Sequence, residues 1–182
     1  LDGDGGDEVI VVLSSVSKGA SLAAYSVLGS RIVLKARTPF IGTPNRWLNP
    51  AGIADYDGDG RLDVIFVAMP HLVKRLEIWT LGPRGFRQTM TADGFSNHRN
   101  GSPFKGLSAS ADFDGDGVTD LAIPDAERRV IRIVTFAGMG QREISRLPLP
   151  APADGDFTLG EAGEEFVLRV PLVDGSVVEL SL

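Results

Sequence analysis

The 182-residue sequence contains no cysteine, and histidine, tyrosine and tryptophan occur only twice each. The absence of cysteine excludes disulfide bonds and thiolate metal sites, and it leaves the redox compartment open. No apolar run approaches the roughly 18 residues that a membrane-spanning helix needs, so membrane insertion is not expected. Positive charge is outnumbered: the net charge is −6, which argues against binding to nucleic acid or anionic lipid.

Helical signals are missing as well. No segment shows an apolar stripe with a 3.6-residue period and caps. Short apolar runs without a helical period occur instead, at 9–13, 64–68 and 121–123, and glycine- and proline-rich turns separate the strand-like stretches. Apolar residues make up 43% of the chain, enough to bury a core. We therefore predict an all-β globular fold.

Three acidic segments recur at a nearly constant spacing. Asp55–Ile65 and Asp112–Ala122 are near copies, in which Asp114 corresponds to Asp57. Asp2–Ile10 is a third copy, in which Asp2 corresponds to Asp57. The residue that would match Asp55 in this copy falls before Leu1. We therefore expect the chain to be a piece of a longer protein.

Each repeat predicts four strands, with the acidic segment as the loop between the first two. The further strands are predicted at 21–28, 31–35, 76–81, 86–91, 130–136, 142–147, 158–162, 166–170 and 176–182. Four-stranded antiparallel sheets that repeat every 40–60 residues or so are typical of β-propeller blades. The predicted units are 1–38, 39–93 and 94–149, followed by a degenerate blade at 150–182. A flat sandwich of tandem hairpins is the alternative.

The acidic loops predict calcium sites, because Ca²⁺ takes six to eight oxygen ligands from carboxylates and backbone carbonyls. Alternate residues of a tight loop can turn their carboxylates toward one centre, and an acid at the ninth position closes the shell. Gly58 and Gly60 allow the positive φ angles that such a turn needs. Gly6, Arg61 and Val118 would contribute only their backbone carbonyls. The predicted ligands are Asp2, Asp4, Gly6 and Glu8; Asp55, Asp57, Asp59, Arg61 and Asp63; and Asp112, Asp114, Asp116, Val118 and Asp120.

Two other interpretations of these loops fail. An EF-hand loop has glutamate at its twelfth position and helices on both sides, whereas Phe66 and Ile123 occupy that position here. Simple Asp-Gly hairpin turns would not need a further aspartate at the ninth position of both copies. In the fourth unit, Glu161–Glu165 is too short for such a loop, so we predict no ion there.

Residues 55–63 and 112–120 carry the pattern D-x-D-G-D-G-x-x-D in full. At these residues the chain resembles the FG-GAP and VCBS repeat family, the calcium-loop blades of integrin α-subunit propellers and of many secreted bacterial proteins. Gly106-Leu107-Ser108 and Pro50-Ala51-Gly52 stand where the FG-GAP signature is expected, which favours the bacterial, VCBS-like side. The resemblance implies an extracellular or periplasmic, seven-bladed propeller, of which this chain would form about three and a half blades.

The function these observations favour is a non-enzymatic calcium-binding module that binds a protein or glycan through one loop face. The loops before the second and third acidic segments supply the candidate ligand residues Asn45, Arg46, Trp47, Asn97, His98 and Arg99. In the alternative interpretation Trp47 packs between blades, and Asn45 and Asn49 cap turns. We assign no catalytic residue, because calcium accounts for the visible acids and His71 and His98 occupy non-corresponding places.

Two further functions stay open. A propeller-based carbohydrate-active enzyme, such as a polysaccharide lyase or glycosidase, would need acids that converge on the central funnel. A scaffold that self-associates through exposed blade edges is the third hypothesis. The sequence does not set the oligomeric state.

Overall fold

The computed structural model describes residues 1, 5–163 and 165–182. Asp2 and Asp4, two of the predicted metal ligands, therefore lie outside the described residues. Within the described part the chain forms 14 strands and a single 3₁₀ turn at Ala137–Met139. No helix in that part has the length and apolar character to cross a membrane.

The strands form four sheets in which each strand pairs antiparallel with the next along the chain. Sheet 1 contains β1 (Glu8–Ser15), β2 (Gly19–Leu28) and β3 (Arg31–Arg37). Sheet 2 contains β4 (Leu48–Ala54), β5 (Asp63–Ala68), β6 (Arg75–Gly82) and β7 (Gly85–Asp93). Sheet 3 contains β8 (Ala109–Ala111), β9 (Asp120–Pro124), β10 (Val130–Thr135) and β11 (Arg142–Pro148), and sheet 4 contains β12 (Thr158–Ala162), β13 (Glu165–Pro171) and β14 (Val177–Ser181).

Strand β5 shows how the sheets pack, because all six of its residues are buried. Successive side chains of a strand point to opposite faces of the sheet. Val64, Phe66 and Ala68 belong to an apolar cluster with residues of sheet 1, whereas Ile65 and Val67 belong to a cluster with residues of sheet 3. Sheet 2 is therefore covered on both faces, which explains why its central strand is an unbroken apolar run.

Strand β9 repeats this arrangement one sheet further along. Leu121 and Ile123 pack in the cluster shared with sheet 2, and Ala122 packs in the cluster shared with sheet 4. Each fully buried aliphatic side chain of this kind contributes about 1.5–3 kcal/mol to folding. The four sheets thus stack face to face in chain order, as propeller blades do. The predicted fold class is confirmed, while the total blade number stays a prediction.

The acidic segments lie in equivalent places of this architecture. Residues 55–63 (loop 2) join β4 to β5, and residues 112–120 (loop 3) join β8 to β9. The first acidic segment, residues 2–8 (loop 1), is described from residue 5 onward, and this part leads into β1, the counterpart of β5. In sheet 4, β12 ends at Ala162 and β13 begins at Glu165, which leaves no room for a loop of this length.

Candidate functional site

Asp55 organises loop 2 through hydrogen bonds to the backbone. Its Oδ1 accepts a hydrogen bond from the N–H of Gly58 (2.8 Å), and its Oδ2 accepts one from the N–H of Gly60 (2.8 Å). Both glycines have positive φ angles, 78° and 83°, which residues with a Cβ atom rarely adopt. The alternation of aspartate and glycine therefore curls the loop around its first carboxylate.

Three carboxylates meet inside loop 2. Asp55, Asp57 and Asp59 each place one oxygen within 4.8 Å of the others. Burial raises the pKa of Asp57, and the charges of Asp59 and Asp55 raise it further. The Arg61 guanidinium offsets part of this repulsion, because its hydrogen bond to Asp59 lowers the pKa of that carboxyl. One arginine cannot balance three carboxylates, so a bound cation would stabilise the loop.

The ninth residue of loop 2, Asp63, is fully buried at the start of β5. Its Oδ2 accepts a hydrogen bond from the N–H of Tyr56 (3.3 Å), and its Oδ1 accepts one from the Thr80 hydroxyl on β6 (2.5 Å). Burial raises its pKa. Asp63 is not one of the carboxylates that lie within 4.8 Å of each other. The contacts show that it anchors the loop to the sheet, and its role as a metal ligand stays a prediction.

Loop 3 repeats the arrangement of loop 2. Asp112 accepts hydrogen bonds from the backbone N–H groups of residues 115, 116 and 117 (2.8, 3.0 and 2.9 Å). Asp112, Asp114 and Asp116 each place one oxygen within 4.8 Å of the others. Arg142 on β11 donates a hydrogen bond to Asp114 (2.9 Å). The loops of two successive repeats therefore build the same three-carboxylate cluster.

The seventh residues of the two loops are also equivalent. The Arg61 N–H donates to Asp59 (3.0 Å), and the Val118 N–H donates to Asp116 (2.9 Å). The two loops are neighbours, since a methyl group added to Gly58 would lie 3.1 Å from Val118 Cγ2. The predicted coordination through the Arg61 and Val118 carbonyls stays a prediction.

Asp120, the ninth residue of loop 3, differs from Asp63 in one respect: one of its carboxylate oxygens has no hydrogen-bond partner. It is fully buried, and its Oδ2 accepts a hydrogen bond from the Phe113 N–H (2.9 Å), whereas its Oδ1 has no hydrogen-bond partner. Burial raises the pKa of the Asp120 carboxyl. The nearby Thr135 hydroxyl lowers this pKa, although it does not meet the geometry of a hydrogen bond to Oδ1. A buried carboxylate oxygen without a partner costs stability unless a cation satisfies it. The three clustered carboxylates of loop 3 fit a hard divalent cation. Asp120, like Asp63, is not one of them, so its role as a metal ligand stays a prediction.

Loop 1 is only partly described. Asp2 and Asp4 lie outside the described residues, and Gly6 is exposed. Glu8 begins β1, as Asp63 begins β5, and it accepts a hydrogen bond from the Lys35 ammonium on β3 (2.9 Å). This placement agrees with the predicted correspondence between Glu8 and Asp63, and the ion at loop 1 stays a prediction.

A cluster of nitrogen-bearing side chains lies where the β5–β6 connection meets the connections between sheets; we call this surface the loop face, and its residues are Trp47, His71, His98 and Lys105. His71 Nε2 and His98 Nδ1 lie 2.7 Å apart, and the Trp47 ring stands edge-on to His98 with 4.7 Å between the ring centroids. The Lys105 ammonium lies 2.9 Å from His98 Nε2 and 5.0 Å from the Trp47 centroid. His98 is buried and His71 is exposed. The two histidines, which sequence analysis left apart, therefore meet in space.

The other candidate ligand residues divide into two groups. Asn97 is fully buried and donates hydrogen bonds to the Asn49 and Pro50 carbonyls (3.2 and 3.0 Å), and Arg99 donates to Asp154 (2.8 Å). These contacts hold the connection between sheets 2 and 3.

Asn45, Arg46 and Trp47 instead line two surface depressions, one shared with His71 and the other with Val16. Asn45 is exposed and Arg46 is half-buried, whereas Trp47 also packs against the apolar cluster between sheets 1 and 2, as the alternative interpretation expects.

Sequence analysis did not identify the residues that lie beside Asp63 and Asp120, nor the contact between the two histidines. Thr80 follows Asp63 at nearly the same spacing as Thr135 follows Asp120, so an alignment of the repeats could have found both threonines. The contact of His71 with His98 and Lys105 has no such signal, because these residues come from unrelated places of the two units.

The comparisons with known proteins agree with the repeated loops. The comparison with curated proteins returned no match. A family model described as an FG-GAP-like repeat matches residues 1–66, a range that contains loop 1, sheet 1 and loop 2. The match supports an FG-GAP/VCBS-type repeat family for this chain.

Proposed function

We propose that the chain is a non-enzymatic propeller module whose acidic loops bind Ca²⁺ as a structural ion. The observation that carries this proposal is the duplicated cluster: three carboxylate oxygens lie within 4.8 Å of each other in loop 2 and again in loop 3. The unpartnered buried oxygen of Asp120 adds a fourth negative group to loop 3. For loop 1 the proposal rests on the sequence pattern of Asp2, Asp4, Gly6 and Glu8.

The chemistry of the donors favours Ca²⁺ over other metals. The clusters offer only carboxylate oxygens, whereas structural zinc sites use thiolate and imidazole ligands. Mg²⁺ demands octahedral geometry and keeps several of its waters. A loop with several carboxylates and nearby backbone carbonyls suits the six to eight oxygens that Ca²⁺ takes.

The position of the loops explains why the ion would be structural. Loop 2 ends on Asp63 at the start of β5, and loop 3 ends on Asp120 at the start of β9. Both strands are fully buried between neighbouring sheets. An ion that fixes the loop therefore fixes the entry of a core strand, and metal binding should be coupled to folding.

Calorimetric titration of the metal-free protein with Ca²⁺ tests the proposal. We expect heat of binding and a rise in melting temperature, with a much weaker response to Mg²⁺. Combined replacement of Asp57→Asn and Asp114→Asn should abolish most of the response, because each removes one of three clustered carboxylates.

Asp174→Asn is the matched control, since Asp174 lies in an ordinary hairpin turn where it binds the Ser176 N–H (3.0 Å). It should leave the response unchanged. No heat and no change in melting temperature with Ca²⁺ would contradict the proposal.

The proposed module binds a protein or glycan through the surface formed by Asn45, Arg46 and Trp47, and it works outside the cytoplasm. FG-GAP-like repeats support the extracellular or periplasmic location. A panel of oligosaccharides and peptides, screened with wild-type protein and Arg46→Ala, tests the binding surface. A ligand that binds both proteins equally would contradict the assignment of this surface.

A further inference from the structure

A cavity of about 250 Å³ opens on the face of sheet 2 that meets sheet 1. One wall is the connection from β3 to β4, residues 38–41, and the other is formed by side chains from the same face of β5, β6 and β7. None of the residues assigned to the acidic loops or to the loop face lines it. Its main lining side chains are Phe40, Leu48, Phe66, Glu77, Trp79 and Gln88.

Three aromatic rings line the cavity. Phe66 and Trp79 are nearly parallel, with 6.5 Å between their centroids and an angle of 13° between the ring planes. Phe40 is the third ring, and the Arg37 guanidinium lies 4.6 Å from its centroid. Arg37 does not line the cavity. Aromatic faces attract cations, and Phe40 already holds one.

The charged side chain of the cavity is Glu77, which is half-buried. Its Oε2 accepts hydrogen bonds from Trp79 Nε1–H (3.0 Å) and Gln88 Nε2–H (2.9 Å), both neutral donors. No described residue forms an ion pair with Glu77 or donates a hydrogen bond to its Oε1. Burial raises the pKa of this carboxyl, ahead of the lowering by Trp79 and Arg75. The cavity therefore contains a carboxylate held in place by two neutral donors, and no described cationic side chain pairs with it.

We propose that this cavity binds a protonated alkylamine, whose ammonium group donates a hydrogen bond to Glu77 Oε1 while its alkyl chain packs against Trp79 and Phe66. A carboxylate together with aromatic rings attracts such a cation through charge and through the ring faces. A free amine and the lysine side chain of a peptide share this chemistry.

Other ligand classes fit the cavity less well. A hard metal ion would find a single carboxylate and too few oxygens. A guanidinium binds best to both carboxylate oxygens at once, and Glu77 Oε2 is already occupied by two donors. A neutral apolar ligand would cover the carboxylate without pairing it, which costs free energy.

NMR titration of the calcium-loaded protein with n-butylammonium tests the proposal, with the Trp79 indole N–H as the reporter because it donates to Glu77. Trp47→Phe assigns the two indole signals. We expect a saturable shift of the Trp79 signal, and binding about tenfold or more weaker for neutral 1-butanol, since the alcohol lacks the charge. Nα-acetyl-lysine amide, added in a separate titration, distinguishes a peptide side chain from a free amine.

Glu77→Gln should weaken n-butylammonium binding by about tenfold or more, because it removes the charge and keeps the shape. Glu127→Gln is the matched control: Glu127 is an exposed carboxylate in the turn between β9 and β10, where it pairs with Lys74, and it does not line the cavity. Equal binding of the amine and the alcohol to wild-type protein, or an absence of any saturable shift, would overturn the proposal without requiring a folded variant. Binding to Glu77→Gln with unchanged affinity would overturn it as well.

Discussion

Asp63 and Asp120 occupy the same position of the same motif, yet their surroundings differ. Both oxygens of Asp63 accept hydrogen bonds, one from Tyr56 and one from Thr80. Asp120 has only the Phe113 N–H, and its second oxygen is buried without a partner. The cost of leaving a carboxylate oxygen unpaired is therefore concentrated in loop 3, where a cation would relieve it.

Asp120→Asn should have opposite effects with and without calcium. In chelator the replacement removes a buried charge whose pKa is raised by burial, so the free energy of unfolding should rise by about 1 kcal/mol. In saturating calcium the variant should be less stable than the wild type by about 2–3 kcal/mol, because it loses the stabilisation that bound Ca²⁺ gives to the folded state. Urea unfolding under both conditions measures the two differences.

Asp63→Asn is the comparison for that experiment. It should bring no gain in chelator, since both Asp63 oxygens already accept hydrogen bonds. If Asp120→Asn changed stability by the same amount with and without calcium, Asp120 would not be a ligand.

Among the structural elements, β4 and β8 are joined by a contact between sheets that depends on a glycine. The Tyr56 hydroxyl is 2.7 Å from Ser110 Oγ on β8. Tyr56 is fully buried, and burial raises its pKa to about 12. A Cβ on Gly52 of β4 would lie only 2.0 Å from the Tyr56 hydroxyl oxygen and 2.9 Å from Ser110 Oγ. The packing of sheets 2 and 3 therefore requires glycine at position 52.

Gly52→Ala should lower the free energy of unfolding by about 1–3 kcal/mol, the usual cost of overpacking a buried site. Gly160→Ala is the matched control in β12, because a methyl group there meets no atom within 4 Å. Its effect should stay within about 0.5 kcal/mol. Urea unfolding of both variants checks the difference, and equal stabilities would contradict the tight contact at Gly52.

The strands were largely predictable from the sequence, and the reasons are local. The strand-like stretch at 76–81 and the glycine- and proline-containing turn at 82–85 predict β6, and the structure extends it by one residue at each end. The clustering of the loop carboxylates also follows from their close spacing within one short motif. The Glu77 cavity and the contact between His71 and His98 were not predictable in this way. They depend on how separate units pack, and period-two patterning carries no information about those distances.

The histidine pair links the β5–β6 connection to the connection between sheets 2 and 3. Partial desolvation by the surrounding protein is the largest cause of the lowered pKa of both the exposed His71 and the buried His98. Arg128 and Lys105 reinforce it for His71, and chiefly Lys105 does so for His98. Asp154 acts in the opposite direction on His98. The folded state therefore binds protons less readily than the unfolded state does.

Stability should consequently fall as the pH is lowered below the ordinary histidine pKa of 6.5. The two neutral histidines make their full contribution to the free energy of unfolding above that value. This contribution is lost as the pH falls through the lowered histidine pKa of the folded state. Urea midpoints at saturating calcium, measured across this range, test the prediction. The double variant His71→Gln/His98→Gln should flatten the dependence between about pH 5 and 6.5, where most carboxyls stay ionised. An unchanged slope would show that other groups are responsible.

On the scale of the whole molecule, each sheet packs against the next sheet along the chain in the part that the structure describes. Separate apolar clusters join sheets 1 and 2, sheets 2 and 3, and sheets 3 and 4. Stability in such an array is approximately the sum of each unit and its nearest interfaces. A local ion should therefore stabilise its own sheet and the adjoining interface more than distant parts of the chain.

Hydrogen exchange with and without calcium should make this gradient visible. We expect chelation to lower protection at the starts of β5 and β9, since each of these strands follows an acidic loop. The β12–β13 hairpin of sheet 4 is an internal control, because Ala162 and Glu165 leave no room for such a loop. Its exchange should change least, and only through the interface with sheet 3. Equal loss of protection in all four sheets would mean that the stack unfolds as one cooperative unit, in which the effect of each ion is shared by the whole chain.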